Sequence, residues 1–319
     1  MGPDAPLLPD APLVPEASPL PFDRRTGEIW LDGSLVPWAE ARLHVLSHGL
    51  HYASSVFEGV RVYGGSPFLL REHIARLRSS ARILDFDLEY DDEMLHGATL
   101  DVVAAAGIRD GYVRMNAWRG SEVIQTAALH TSVHTSVAAW EIPVGYYAAA
   151  DALDRGIALR TAEYRRPSPL FAPVKSKAAG NYMIGTVSKN QALRAGYDDA
   201  LLLDDAGMIA EATGAHVFFT RAGALHTPTT RCTIDGITRA RVLVLARAED
   251  IPCAVEDLSP AFVREADGAF ICGTACELLP VARIDDHTYE PRGNSVIRRL
   301  ISGYRALTDH GEAVRPWGH

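Results

Sequence analysis

Lysine is almost absent from this sequence. Of its 31 basic residues only Lys175, Lys177 and Lys189 are lysines, which leaves 28 arginines (31 − 3). Arginine carries positive charge at any surface position, but it cannot replace lysine in amine chemistry. The two lysines crowded into PVKSKAAGNYM, residues 173–183, therefore require an explanation. Cysteine is scarce too: Cys232, Cys253, Cys272 and Cys276 all fall in the last third, and none forms a C-x-x-C pair. This spacing excludes a zinc knuckle and a disulfide-stapled scaffold, and predicts reduced thiols in a cytoplasmic protein. No apolar run is long enough to span a bilayer. A net charge of −9 and a pI of about 5.7 argue against a nucleic-acid scaffold and give an anionic membrane nothing to attract.

What is present suits two medium domains: 319 residues, 47% hydrophobic and 22% charged. Seven prolines crowd the first 21 residues. They exclude a helix interior or a central strand there, so residues 1–25 are expected to form an extended or disordered arm. Without a basic start or a continuous apolar core, the arm is not a signal peptide.

GEIWLDGSLVPW predicts a hairpin turning at Asp32-Gly33, and SSVFEGVRVYGGSPFLL predicts two strands around Gly64-Gly65. Leu70, Ile74, Leu77, Ala81 and Leu84 recur at helical spacing. A second helix, capped by Asp91 or Asp92, is expected to run through Ala106. GYVRMNAWRG and HTSVHTSVAAWEIPVGYY read as strands. Residues 148–155 are expected to join a smaller N-terminal domain, 26–147, to a larger C-terminal one, 156–319. In the latter, NYMIGTVSKNQALRAG and DGITRARVLVLARAEDI read as helices, ALLLDDAGMIAEAT and HVFFTRAGALHTP as hairpins, and GAFICGTACELLPV as a strand broken at Gly273. Hairpins beside packed helices predict an α+β two-domain fold, not a doubly wound sheet.

Lys177 precedes Ala178, Ala179 and Gly180, small residues that let a flat ligand approach. An amine held among apolar groups is poorly solvated as a cation, and its neutral form attacks carbonyls to give a Schiff base. Taken alone, the motif reads as readily as a surface loop lysine. Glu211 lies among apolar residues on a predicted strand, where a buried carboxylate needs a cationic partner. A protonated pyridine nitrogen would serve, and so would one of the arginines. DGIT places free N–H groups and a hydroxyl at a helix start, an anion cup or a simple cap. The GTA of residues 273–275 offers a second set. Arg76 is a candidate counter-charge or a solvated helix-face residue.

Seven segments, HVLSHGLHYASSVFEGVRVY, HIARL, GYVR, KAAGNY, EATGAHVFF, DGITR and GTACELLPV, occur in the order found in class IV aminotransferases. The chain resembles the bacterial branched-chain members of that family over about residues 27 to 310. The resemblance implies a fold type IV enzyme, D-amino acid aminotransferase-like, that uses pyridoxal 5'-phosphate and assembles as a homodimer or from dimers. Lys177 then resembles the Schiff-base lysine that moves the substrate α-proton. Tyr182 would hydrogen-bond the cofactor phenolate, Glu211 the pyridine nitrogen, and Arg76, Ile237, Thr238 and Thr274 the phosphate. Tyr112 and the Thr274–Ala275 backbone would take the substrate α-carboxylate. Phe57, Tyr52 and Tyr146 would surround the side chain, with Tyr52 from the neighbouring subunit, although strand aromatics such as Phe57 and Tyr146 are usually core. Arg114 would receive the distal carboxylate of glutamate. No metal is implied. Met115, Cys276 and Leu279 depart from the family pattern, all expected on the substrate side. Lys175 is expected to be a peripheral charge, too far from the cofactor to replace Lys177.

The expected activity is transfer of the amino group of leucine, isoleucine or valine to 2-oxoglutarate in a ping-pong cycle. Alternatives within the fold are a D-amino acid or (R)-amine transaminase and an aminodeoxychorismate-lyase-like enzyme. Outside catalysis, the alternative is a scaffold or a non-catalytic pyridoxal-phosphate-binding protein.

Overall fold

The computed structural model describes residues 21–142 and 151–309. Most of the proline-rich arm, Tyr146 and residues 310–319 lie outside these. Two sheets carry the chain. The first contains β1 (Glu28–Leu31), β2 (Ser34–Pro37), β3 (Ser55–Tyr63), β4 (Ser66–Pro67), β5 (Gly111–Arg119) and β6 (Val133–Glu141). Its order is β2-β1-β6-β5-β3-β4, and every pairing is antiparallel. A short helix, α1 (His48–His51), precedes β3, while α2 (Leu70–Ile83) and α3 (Asp92–Ala105) cover one face. Asp91 caps α3 by accepting a hydrogen bond from Met94 N at 2.8 Å.

Strand alternation decides what each face does. Val56, Val60 and Val62 of β3 and Val113, Met115 and Ala117 of β5 turn to the helices, where they meet Leu70, Ile74, Leu77, Leu95 and Val102. The intervening residues, Phe57, Gly59, Tyr112 and Arg114, turn the other way. Met115 is thus a core residue with no exposure, which corrects the expectation that it lies on the substrate side.

The second sheet begins after α4 (Ala152–Arg155), the described end of the expected interdomain connection; Ala152 already belongs to the second core. Its strands are β7 (Ile157–Thr161), β8 (Asp199–Leu203), β9 (Ile209–Ala212), β10 (His216–Arg221), β11 (Ala224–Pro228), β12 (Cys253–Glu256), β13 (Gly268–Gly273), β14 (Glu277–Ile284) and β15 (His287–Thr288). The order is β12-β11-β10-β13-β14-β7-β8-β9, with β15 on β14. β7 lies parallel to both β14 and β8, a crossover that hairpin signals alone did not reveal. The remaining helices are α5 (Met183–Arg194), α6 (Ile237–Ala248), α7 (Phe262–Glu265) and α8 (Ser295–Asp309).

Both faces of this sheet are buried. Val217, Phe219 and Ile271 pack on one side. Phe218 and Phe270, stacked with centroids 5.0 Å apart, pack on the other with Val242 of α6 and Leu300 of α8. Phe68, just after β4, enters that second cluster and joins the two halves. Residues 162–178 connect β7 to the turn before α5. Pro167, Pro169 and Pro173 break it as a strand, though Ala178 at its end bridges antiparallel to Val56, and it carries both lysines of the PVKSK stretch.

Candidate active site

The Lys177 backbone is fixed by the first sheet and its helix. Phe57 N donates to the Lys177 carbonyl at 3.1 Å, Lys177 N donates to Ser80 Oγ at 3.0 Å, and Ser176 Oγ donates to the Ser80 carbonyl at 2.9 Å. The amine donates to the Tyr182 hydroxyl at 2.7 Å. It stands 4.9 Å from the Phe57 ring centroid and 5.1 Å from that of Tyr182. Two aromatic rings, rather than the small residues that follow in sequence, flank the amine.

Lys177 and Tyr182 stand where two clefts meet. The first, about 510 Å³, is lined by Arg76, Lys177, Tyr182, Glu211, Ile237, Thr238 and Thr274, all seven residues expected to hold a cofactor. Glu211 comes from β9, and its neighbour in that strand, Ala212, is fully buried. Arg166 Nε lies 3.0 Å from one Glu211 oxygen, and His216 Nδ1 lies 3.8 Å from the other. Burial raises the Glu211 carboxyl, against the opposing pull of Arg166 and Lys177. The arginine partner foreseen for a buried glutamate is therefore present, and Glu211 also lines the cleft. Burial, with the Arg239, Arg76 and Lys177 charges, lowers His216 to about 3. His216 is neutral near pH 7.

At the opposite end of this cleft, Gly236 is the N-cap of α6 and Thr238 is buried within its first turn. The free N–H groups there form the anticipated cup. Arg76 does not reach out unsupported. Its Nε and Nη2 donate to the two Glu58 oxygens at 2.6 and 3.0 Å, and its Nη1 donates to the Asp235 carbonyl at 3.0 Å. Glu58 has no solvent exposure and also meets His73 Nδ1 at 2.7 Å. Burial alone would raise its carboxyl, but Arg76 and His73 hold it well below the usual carboxylate range.

The second cleft, about 1640 Å³, is lined by Phe57, Tyr112, Arg114 and Ala275, with Cys276 and Leu279 on the same wall. Two of the three departures from the family pattern thus do face this space. Tyr112 lies over Gly59: a Cβ built there would stand 1.6 Å from the tyrosine hydroxyl. The Arg114 guanidinium stacks 4.6 Å from the Phe57 centroid. It has no ion-pair partner among the described residues, and its Nε is buried without a hydrogen bond. Burial pushes the Cys276 thiol up to about 12, so it presents a neutral apolar surface. Tyr52 lines neither cleft; it is 45% exposed and stacks on His48.

The sequence reading missed Glu58, Gly59, Arg166 and His216. Glu58 carried a usable signal, a carboxylate in the core-facing row of an alternating strand. Lys175 lies outside both clefts, as expected, but it is not unpartnered: its amine donates to the Thr230 carbonyl at 2.7 Å, and to Thr230 Oγ1 and Asp235 Oδ1, each at 3.1 Å.

A lysine–tyrosine pair between a carboxylate and an anion cup, on two sheets of this topology, defines a class. A family model described as amino-transferase class IV matches residues 55–284, and the chain belongs to that family. Within it, branched-chain aminotransferases are among the similar proteins. The Pseudomonas aeruginosa branched-chain-amino-acid aminotransferase is 35% identical over 265 residues, 82% of this chain and 86% of that protein. The crystal structure of the Escherichia coli branched-chain amino acid aminotransferase superposes with a TM-score of 0.87 at 32% identity, over 92% of this chain and 98% of that one. The T.th. branched-chain amino acid aminotransferase, complexed with N-(5'-phosphopyridoxyl)-L-glutamate, gives a TM-score of 0.84 at 34% identity, over 90% of this chain and 95% of that one.

Proposed function

We propose that this protein is a pyridoxal-phosphate-dependent aminotransferase that moves the amino group of leucine, isoleucine or valine to 2-oxoglutarate. The observation that carries the reading is the Lys177 amine, 2.7 Å from Tyr182, at the junction of two clefts with unlike chemistry. The residues of the first cleft fit the cofactor. An amine, a phenol, a carboxylate with one oxygen not taken by its arginine, and a helix start match an aldehyde, a phenolate, a pyridine nitrogen and a phosphate. When bound, pyridoxal phosphate supplies an electron sink for charge developing at the substrate α-carbon.

The chain's residues do the rest. Lys177 would hold the cofactor and, once released, shuttle a proton at the substrate α-carbon. Tyr182 would fix the amine's direction, and Glu211 would keep the ring nitrogen protonated. Arg76, Ile237, Thr238 and Thr274 would hold the phosphate. In the second cleft, Tyr112 and the Thr274–Ala275 backbone would receive the α-carboxylate, while Phe57 and Leu279 offer apolar contact. Arg114 lacks an ion-pair partner among the described residues, so it is free to bind the second carboxylate of 2-oxoglutarate or glutamate. One site thereby accepts a greasy and an acidic side chain in turn, as a ping-pong cycle requires.

We take the two sheets as two domains, 26–147 and 156–319, and the assembly as a homodimer in which Tyr52, exposed here, reaches the neighbouring subunit's site and joins Phe57 and Tyr146 in the wall around the substrate side chain. The four free cysteines accord with a cytoplasmic location. Among the described residues no helix is long and apolar enough to cross a membrane.

A panel of amino donors with 2-oxoglutarate tests the reading. Leucine, isoleucine and valine should give glutamate, and Lys177→Ala should abolish turnover. Turnover confined to D-alanine or an (R)-amine would overturn the substrate assignment; full activity in Lys177→Ala would overturn the mechanism.

A further inference from the structure

We infer that Lys175 is a positioning residue: with Arg76 it clamps Asp235, the residue just before the anion cup, at a fixed span from the Lys177 amine. The inference rests on the cofactor reading above, and adds to it a residue that the reading does not use. Asp235 is held from two sides. Its carbonyl accepts from Arg76 Nη1 at 3.0 Å, and its carboxylate accepts from Lys175 Nζ at 3.1 Å and from Thr230 Oγ1 at 2.7 Å. Lys175 also donates to the Thr230 carbonyl at 2.7 Å, so it closes both ends of the turn 230–235.

The arrangement matters because of what lies on either side. Gly236 to Thr238 follow Asp235 directly and carry the N–H groups of the cup. Lys177 follows Lys175 by two residues, with its backbone pinned by Phe57 and Ser80. The clamp therefore ties the amine-bearing segment directly to the residue that precedes the cup. Arg76 completes the triangle, itself oriented by the fully buried Glu58. A ligand that carries both an aldehyde and a phosphate monoester has to match the distance between amine and cup, and a loosened cup loses that match.

This requirement is one of charge and reach, not of amine reactivity. Arginine serves it as well as lysine, because a guanidinium also donates to a carbonyl and a carboxylate. The two lysines of PVKSK therefore differ in what they tolerate. Lys175→Arg should be silent and Lys177→Arg inactive.

The test is binding of pyridoxal phosphate, and in parallel of pyridoxal, which has the aldehyde and no phosphate, to wild type, Lys175→Met and Lys175→Arg. Lys175 is half-exposed, so the variants fold, and thermal unfolding checks that they do. Lys175→Met should raise the Kd for pyridoxal phosphate about fivefold, the size expected for a half-exposed charged contact. Pyridoxal binding should not change, and Lys175→Arg should lie within about twofold of wild type. Equal pyridoxal phosphate affinity in wild type and Lys175→Met overturns the clamp. An equal loss for both ligands also overturns it, because the residue would then be merely structural. Failure of the wild type to bind pyridoxal phosphate overturns the cofactor reading, and the clamp with it.

Discussion

A methyl group added to Gly59 would stand 1.6 Å from the Tyr112 hydroxyl and 2.4 Å from its ring carbon. Gly59 keeps an ordinary strand conformation, so its smallness is needed for space and not for backbone freedom. Gly59→Ala should push the tyrosine off its seat and lower kcat/KM for leucine by about a hundredfold, with pyridoxal phosphate binding retained. Steady-state kinetics beside a cofactor titration checks this. Glu58 makes a different kind of demand. Its carboxyl is depressed, so the stability it contributes is complete above the unfolded pKa near 4.5 and is lost as pH falls toward the folded value. Glu58→Gln should cost about 2–4 kcal/mol at pH 7, and the gap to wild type should narrow as unfolding is followed down through pH 4.

Among the elements, the start of α6 leaves little room. A Cβ at Gly236, its N-cap, would lie 2.3 Å from His216 Nε2. Gly236→Ala should therefore shift either the histidine or the cup, and weaken pyridoxal phosphate binding about tenfold or more, measurable by absorbance titration. How far such features were legible in the sequence depends on whether their cause was local. The helix 70–83, the Asp91 cap, the 205–207 turn and the start of α6 followed from periodicity and turn chemistry. The parallel placement of β7 between β14 and β8 did not, because it pairs segments far apart in the chain. That Arg76, Lys177, Tyr182, Glu211, Ile237, Thr238 and Thr274 belong together was legible through motif resemblance, and they line one cleft. Arg166 and His216 were not singled out, because what makes them notable is a partner, Glu211, on another element; Glu58 did carry a signal in its strand's alternation, which went unused. The misplacement of Met115 came from reading position along the chain, where strand alternation decides the face.

For the whole molecule, two of the buried histidines add to the loss of stability in acid. Burial lowers both His73 and His216, the latter to about 3, while an unfolded histidine titrates near 6.5. The unfolded chain then binds more protons between those values, so stability rises with pH in that window and falls as pH drops from about 6.5 toward 3. His216→Asn should unfold less readily than wild type at pH 4.5, relative to their difference at pH 7.5, in cofactor-free thermal melts. The two sheets line the adjoining clefts with different residues: the first supplies Phe57, Tyr112 and Arg114, and the second Glu211, the cup and the 273–275 turn. Lys177 lies on the connecting segment pinned between them. Its neighbours Ser176 and Lys175 bond in opposite directions, Ser176 Oγ to the Ser80 carbonyl of the first unit and Lys175 Nζ to the Thr230 carbonyl of the second.

Lys177, and no other amine, is the residue proposed to hold the cofactor. Borohydride reduction of the pyridoxal-phosphate-loaded protein, followed by peptide mass spectrometry, tests it directly. The phosphopyridoxyl group should appear stoichiometrically on Lys177, in the peptide that contains Ala178 to Tyr182. Modification of Lys175 or Lys189 in its place, or no modification of a protein that still transaminates, would contradict the account.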